Sequence, residues 1–188
     1  TWPRFVQAGL MYGGFLNTPV PDLERCNYML MLGANPLASH GSLMTAPGMK
    51  KRLDAIRERG KLVVVDPRLI ESADRADEHL FIKPGADAAF LLAMVNVLFA
   101  EGRVDTGRAG QWIDGVDEVS ELVARYTPER IGPICGIDPD AIRRITREFA
   151  AAEGAVAYGR MGTCVQRFGT MASWALDLVN ILTGNLDE

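Results

Sequence analysis

Two short, unbroken apolar runs constrain this chain more than any other feature. Tyr28-Met29-Leu30-Met31-Leu32 ends in Gly33, and Leu62-Val63-Val64-Val65 ends in Asp66. Apolar residues at every position, rather than every second one, mark strands covered on both faces. Such strands belong to parallel sheets sandwiched between helices. Between the runs, Met49, Leu53 and Ile56 recur at helical spacing, with Lys50, Lys51, Arg52, Arg57 and Arg59 as the solvated face and Gly60 as the stop. Pro47 suits the first turn of that helix, with Thr45 or Ala46 at its cap.

A third strand is expected within Glu78-His79-Leu80-Phe81-Ile82, centred on Leu80-Phe81-Ile82. Asp87 is placed to cap a helix running to about Glu101, with Leu91, Val95 and Leu98 toward the core and Gly102 at its end. Residues 105–150 read as helical, with Asp105, Thr127 and Asp138 as cap candidates and Pro128 and Pro139 at first helical positions. Ala155-Val156-Ala157-Tyr158 is a fourth strand, a glycine-studded loop runs to Gly169, and residues 170–183 form a last helix. Residues 1–21 read as an irregular lead-in around Gly13-Gly14 and Pro19-Val20-Pro21, after which Asp22 caps a turn through Arg25.

Buried strands separated by helices predict an α/β fold, doubly wound and Rossmann-like, with a mostly parallel sheet and helices on both faces. Residues 22–188 would form a single domain carrying a helical insert at 105–150. With the fourth strand on the far side of the first, the order is 3-2-1-4, and the topological switch point lies between strands one and four. Ligands of such sheets bind outside the carboxyl ends at that point. The loops there are residues 33–42 and 159–169.

Composition narrows the function classes. The 188 residues are 48% hydrophobic and 23% charged, an ordinary globular profile large enough for one core without staples. A net charge of −4 advertises no basic face, against nucleic acid or an anionic membrane as partner. The longest nearly apolar run, residues 88–100, is broken by Asn96 and falls short of the ~20 residues of a membrane span. Cys26, Cys135 and Cys164 lie too far apart for a CxxC pair and read as reduced thiols in a cytosolic-type chain. His79 reads as structural, whereas His40, in a Gly/Ser-rich loop, is the more interesting histidine. The chain starts at Thr1 without Met and stops at Asn185-Leu186-Asp187-Glu188, ends expected of a piece of a longer protein.

Four segments could carry a ligand, each with a plainer alternative. In Gly33-Ala34-Asn35-Pro36, glycine permits close approach, backbone N–H groups and a helix start can hold phosphate oxygens, and Asn35 both donates and accepts. It is equally a simple strand-to-helix turn, and it is not GxGxxG. In Asp66-Pro67-Arg68, the acid sits where such folds take ribose hydroxyls, and Arg68 could stack on a base or pair with phosphate. Asp66 could also merely cap a turn. In Lys83-Pro84-Gly85-Ala86-Asp87, the Asp87 carboxylate could accept two donors from a guanine edge, though a helix cap explains it as well. Lys83 is a phosphate contact or a solvated charge. The fourth segment is Gly159-Arg160-Met161-Gly162 with Gln166 and Gly169. Jointly they suggest a nucleotide-containing ligand.

Taken in order, these residues resemble the molybdopterin oxidoreductase family, of the dimethyl sulfoxide reductase and formate dehydrogenase type. The matching segments are Gly33-Ala34-Asn35-Pro36, Val64-Val65-Asp66-Pro67-Arg68, Ile82-Lys83-Pro84-Gly85-Ala86-Asp87, Tyr126-Thr127-Pro128-Glu129, Met161-Gly162, Gly169 and Leu182-Thr183-Gly184-Asn185. The resemblance implies one domain of a longer subunit that holds molybdenum between two molybdopterin guanine dinucleotides. It further implies two-electron redox of a small substrate such as formate or nitrate. Carried over, Gly33 and Asn35 would meet the diphosphate, with Pro36 and Ser39 in the same cofactor-binding loop. Asp66 and Arg68 would lie around ribose and guanine, Gly85 and Asp87 at the guanine with Lys83 beside them, and Met161 and Gly162 at the pterin. Two departures stand out. Ala86 occupies a place usually held by Thr or Ser. Val165 fills the place of a common Gln, so that Gln166 comes one later, and Cys164 could face the pocket instead.

No catalytic or metal-ligating residue is carried over. The resemblance implies a metal ligand at or just before Thr1, and an iron–sulfur cluster, if any, outside this stretch. It implies as partners the remaining domains of the parent subunit and electron-transfer subunits, with no nucleic acid and no membrane contact from this segment, in a cytoplasmic setting. The chain alone would then not turn over. Two other readings are a metal-free scaffold relative in an electron-transfer complex and a conventional NAD- or FAD-binding Rossmann domain, the latter disfavoured by the missing GxGxxG.

Overall fold

The computed structural model describes residues 2–44 and 46–186; Thr1, Thr45, Asp187 and Glu188, which bear on the expected cap and chain ends, lie outside the described residues. The strands are Tyr28–Leu32 (β1), Lys61–Val65 (β2), Glu78–Leu80 (β3) and Ala155–Gly159 (β4). Among the described residues the helices are Trp2–Tyr12 (α1), Pro36–Ser39 (α2), Met49–Arg59 (α3), Glu71–Asp74 (α4), Asp87–Ala100 (α5), Val116–Val123 (α6), Pro128–Cys135 (α7), Pro139–Ala151 (α8), Met161–Cys164 (α9) and Gly169–Ile181 (α10). Short 3-10 segments add Ser42–Met44 and Gly107–Trp112.

The sheet has the expected order, β3-β2-β1-β4, and every pairing is parallel. The fold is therefore a mixed α/β sandwich whose switch point falls between β1 and β4. Alternate strand residues sort into two cores. Leu30, Leu32, Val63, Val65 and Ala157 face a large cluster with α5, α7, α8 and α10. Met29, Met31, Leu62, Val64 and Tyr158 face a smaller one with Leu53 and Ile56 of α3 and Ala73 of α4. Helix α5 is buried nearly all round, which explains its uniform apolarity. Asn96, the one polar interruption, donates to Val123 O at 3.0 Å and so satisfies a carbonyl at the end of α6. Asp138 is a working cap of α8, its Oδ1 accepting from Asp140 N at 2.8 Å.

Four expectations need correction. The lead-in is not irregular, because residues 2–12 form α1. Its packed face carries Arg4, Gln7 and Ala8, while Leu10 is 79% exposed, the reverse of an apolar stripe. Arg4 and Gln7 are held by Asp177 of α10. Asp177 Oδ1 accepts from Arg4 Nη1 at 2.7 Å, and its Oδ2 accepts from Gln7 Nε2 at 2.8 Å and Tyr12 OH at 2.9 Å. Second, β3 is framed two residues early: Phe81 is 61% exposed, because the Lys83 N–H binds Cys135 O of α7 at 2.8 Å and draws the chain off β2. Third, α3 starts at Met49, not at Pro47, because Gly48 adopts a left-handed φ of 69° that no right-handed helix contains. Fourth, the stretch 105–150 is not helical throughout: a 3-10 segment and three helices, two of them starting at Pro128 and Pro139 as expected, are separated by turns, with left-handed Gly115 and Gly136 at two of the breaks.

Both flanks of the sheet are tied by side chains. On one, Lys61 pairs with Glu78 at 2.8 Å and with Glu148 at 2.7 Å, while Arg144 of α8 reaches both acids. On the other, the outer edge of β4 meets two amides. Asn180 Oδ1 accepts from Ala157 N–H at 2.8 Å and its Nδ2 donates to Ala157 O at 3.0 Å; Asn185 Oδ1 accepts from Ala155 N–H at 2.8 Å.

Candidate functional site

The four nominated segments all lie at the carboxyl ends of the parallel strands, and two of them are in backbone contact. Gly33 follows β1 with φ 53°, and Gly162 N–H donates to Gly33 O at 2.9 Å. A Cβ on Gly33 would stand 2.7 Å from Gly162 Cα, and one on Gly162 would stand 2.6 Å from Gly33 Cα. Both glycines are therefore explained by the loops touching each other, which closes the throat of the crevice and leaves ligand to approach from its lip.

Around that throat, several side chains are already engaged. Asn35 precedes Pro36 at the start of α2 and sends Nδ2 to Glu71 Oε2 at 2.6 Å, while its Oδ1 accepts from Ser72 Oγ at 2.8 Å. Glu71 and Ser72 of α4 are partners that sequence reasoning missed. A one-turn helix has no periodicity to announce it. Ser39 Oγ turns back to Asn35 O at 3.1 Å. Asp66 is buried, and its Oδ1 accepts from Arg68 N–H at 2.9 Å, so the turn-capping alternative describes it in this structure; the Arg68 side chain is exposed. His79 packs as structure, its Nε2 3.0 Å from Asp66 O. Lys83 points away from the crevice and donates to Pro133 O at 2.8 Å. His40 is exposed, its backbone closing α2 at φ 50°.

The third and fourth segments do meet. Asp87 is the first residue of α5 and Ala86 holds the cap position before it, which corrects the capping expectation. Its carboxylate, 5% exposed, instead accepts from Gln166 Nε2 at 2.8 Å. Burial pushes the Asp87 carboxyl above the usual carboxylate range; the Gln166 bond opposes this and the charge of Asp66 adds to it. Gln166 Nε2 also donates to Gly162 O at 3.0 Å, while its Oε1 is buried and has no partner. Met161 is exposed on the crevice rim. Cys164 does not face the pocket: it is buried under α9, its Sγ 3.9 Å from Ser173 Oγ.

The cavities lie beside these loops rather than over them. One of about 600 Å³ follows the outer edge of β4 and takes in Gly159, Arg160 and Asn180. Another of about 470 Å³ lies between α1 and the start of α10 and touches Gln7, Gln166 and Phe168. Among the described residues there is no cluster of three or more His, Cys, Asp or Glu that could hold a metal ion, and no helix is long and apolar enough to cross a membrane.

The chain is 29% identical over 93% of its length to the F420-dependent formate dehydrogenase subunit alpha of Methanocaldococcus jannaschii, covering 25% of that protein. It is 30% identical over 93% of its length to formate dehydrogenase H of Escherichia coli, covering 24%. Among solved structures, the acetylene hydratase of Pelobacter acetylenicus superposes on 98% of the chain with a TM-score of 0.82 and 26% identity, over 24% of its own length. The chain thus spans about a quarter of the length of these relatives. The family model for molybdopterin oxidoreductases matches residues 4–188, and with the sheet order and the loops above it establishes that this chain belongs to the molybdopterin oxidoreductase family.

Proposed function

We propose that this chain holds a guanine dinucleotide half of a bis-molybdopterin cofactor in a molybdenum-dependent oxidoreductase acting on a small substrate such as formate or nitrate. The observation that carries this reading is the Asp87–Gln166 pair, a buried carboxylate beside an orphaned amide oxygen at the lip of a parallel-sheet crevice. That donor-hungry set fits the N–H edge of guanine. The diphosphate would lie along Asn35, Pro36, Ser39 and the start of α2, with exposed Arg68 offering charge, and Glu71, which is held on Asn35, would have to release it. Met161 and Gly162 would border the pterin. The fit is poorer at Lys83, which is engaged elsewhere, and at Asp66, whose carboxylate would have to give up its turn to reach a ribose.

When bound, the cofactor supplies two-electron redox at a metal carried by its dithiolene sulfurs; the chain's task is to bind and orient it. The acetylene hydratase relative bears a name without net redox, so the formate or nitrate assignment rests on the sequence relatives. Partners under this reading are further domains of a longer subunit, electron-transfer subunits and any iron–sulfur cluster they bring, in the cytoplasm. The 188 residues alone would show no formate- or nitrate-dependent dye turnover.

The test is to purify the complete gene product from a host that makes the cofactor and to assay molybdenum and acid-released guanine nucleotide. Both are expected together. Protein free of metal and nucleotide would overturn the reading and favour a scaffold that has lost the cofactor. In the same background, Asp87→Ala should release most of the guanine nucleotide; full retention would reduce Asp87 to a structural residue.

A further inference from the structure

We infer that the groove between α1 and the start of α10 is an interdomain seat, filled by an apolar helix from elsewhere in the longer polypeptide. The inference rests on the reading of this chain as one holder of a two-part cofactor within a larger subunit.

Helix α1 is inside out. Its packed face carries Arg4 and Gln7, while Trp2, Val6 and Leu10, spaced four residues apart, share the outer face. Trp2 is 70% exposed and Leu10 79%. Phe15, in the turn that follows, stacks on Trp2 with ring centroids 6.2 Å apart. Across the groove stand Phe168 and Met171, also exposed. A single exposed Leu says little, but a contiguous apolar face marks a surface that something covers. Burying Arg4 and Gln7 while Trp2 and Leu10 face water is unfavourable for a helix at a free surface.

The groove itself is a cavity of about 470 Å³ walled by Leu10 and Met11 on one side and by Phe168, Met171 and Trp174 on the other. Among the described residues that line it, Arg167 alone is charged, and its guanidinium lies 5.3 Å from the Phe168 ring centroid. An apolar middle with an arginine at the rim is the composition of a protein interface. Both walls are helices and offer side chains rather than a strand edge. A strand laid there would have no ladder to join, whereas a helix pairs its own backbone and needs only side-chain anchors at i, i+3 or i+4.

Two observations name the source of that helix. The relatives match this chain over 93% or more of its length, yet about three quarters of each relative lies outside the match. The groove also runs into the mouth of the crevice, because Gln166 lines it and donates to Gly162 O at 3.0 Å. Under the proposed function, other parts of the subunit hold the second dinucleotide and come over this crevice. The groove is the apolar surface they meet beside it.

The test uses the complete gene product, purified as a single polypeptide, with Leu10→Cys as the probe. Alkylation by iodoacetamide is followed by mass spectrometry on the peptide holding residue 10, with the rate in urea as the unprotected limit. Native labelling should be slower than that limit by about tenfold or more, and equally so across a wide dilution series, because a contact within one chain does not depend on concentration. Met171→Cys, on the opposite wall, should be protected alike. Labelling of either cysteine as fast as in urea overturns the inference, and protection lost on dilution overturns it in favour of a second copy of the chain. Molybdenum and guanine nucleotide are assayed on the same preparation. Bound cofactor with fast labelling leaves the proposed function standing without the seat; protection without cofactor supports the seat while that function falls.

Discussion

Helix α10 is gripped from two sides by opposite means. Against it on one side lies α5, buried nearly all round, joined through one dry cluster that includes Phe90, Leu91, Ala175, Leu176 and Val179. On the other lies α1, whose attachment is polar: Arg4, Gln7 and Tyr12 converge on Asp177, which is 2% exposed. Burial pushes the Asp177 carboxyl above its usual range, with Arg4 the main opposing influence. The apolar grip needs only a stripe of like residues, and tolerates many sequences. The polar grip needs an acid at one position and its donors 165 to 173 residues earlier. Removing one member leaves the others buried and unanswered.

The contrast can be broken in three ways. Phe90→Ala should cost about 4 kcal/mol of global stability, read as a lowered midpoint in urea with every probe moving together. Asp177→Ala should cost about 3 kcal/mol, spent almost wholly on the docking of α1, because Arg4 loses its counter-charge in a buried place. Hydrogen exchange should then quicken over residues 2–12 while the β1 and β2 amides stay protected. Equal loss in both would show that the seam and the sheet are one cooperative unit. The double change Arg4→Met with Asp177→Leu, which swaps the ion pair for apolar packing, should recover much of the docking.

The smallest effect is a difference in sign with pH. The folded pKa of Asp177 is raised, so its contribution is present below the ordinary carboxylate value near ~3.9 and is lost as pH rises through the folded pKa. Glu78 is the reverse. Arg144, ahead of Lys61, holds its carboxyl below the usual range, so its contribution is present above about pH 4.3 and is lost as pH falls. Between pH 7 and 3, the wild type should improve relative to Asp177→Asn and lose ground relative to Glu78→Gln, by about 2 °C in Tm for the partly buried glutamate. Slopes of the same sign would contradict the contrast.

Legibility in the sequence follows the same division. The apolar runs of β1 and β2, the Met49–Leu53–Ile56 stripe and the Asp138-Pro139 start of α8 stand out because burial and capping leave local marks. The 3-2-1-4 order depends on the fourth strand lying on the far side of the first, a placement that the sequence leaves as a condition and the structure meets. Polar partnerships leave no such mark. Asn35 spends its amide on Glu71 and Ser72, Lys83 spends its amine on Pro133 O, and α1 hides its packed face behind Arg4 and Gln7. The frame of β3 was lost for a related reason, since one bond from Lys83 N–H to a distant carbonyl decides where the strand ends. Of the candidate site, the positions of the four loops were readable. The meeting of Asp87 with Gln166 was not.

The two asparagines on the outer edge of β4 have a consequence for how such a chain behaves in crowded solution. An exposed strand edge is a template on which other chains can add, and parallel sheets form slowly enough to leave it open for some time. Asn180 and Asn185 occupy the outward N–H groups of Ala157 and Ala155 with short side chains that carry no ladder of their own. They end the sheet as a neighbouring strand would, yet offer nothing for a further molecule to continue, and their loss should show first as precipitation during refolding rather than as a lower melting point.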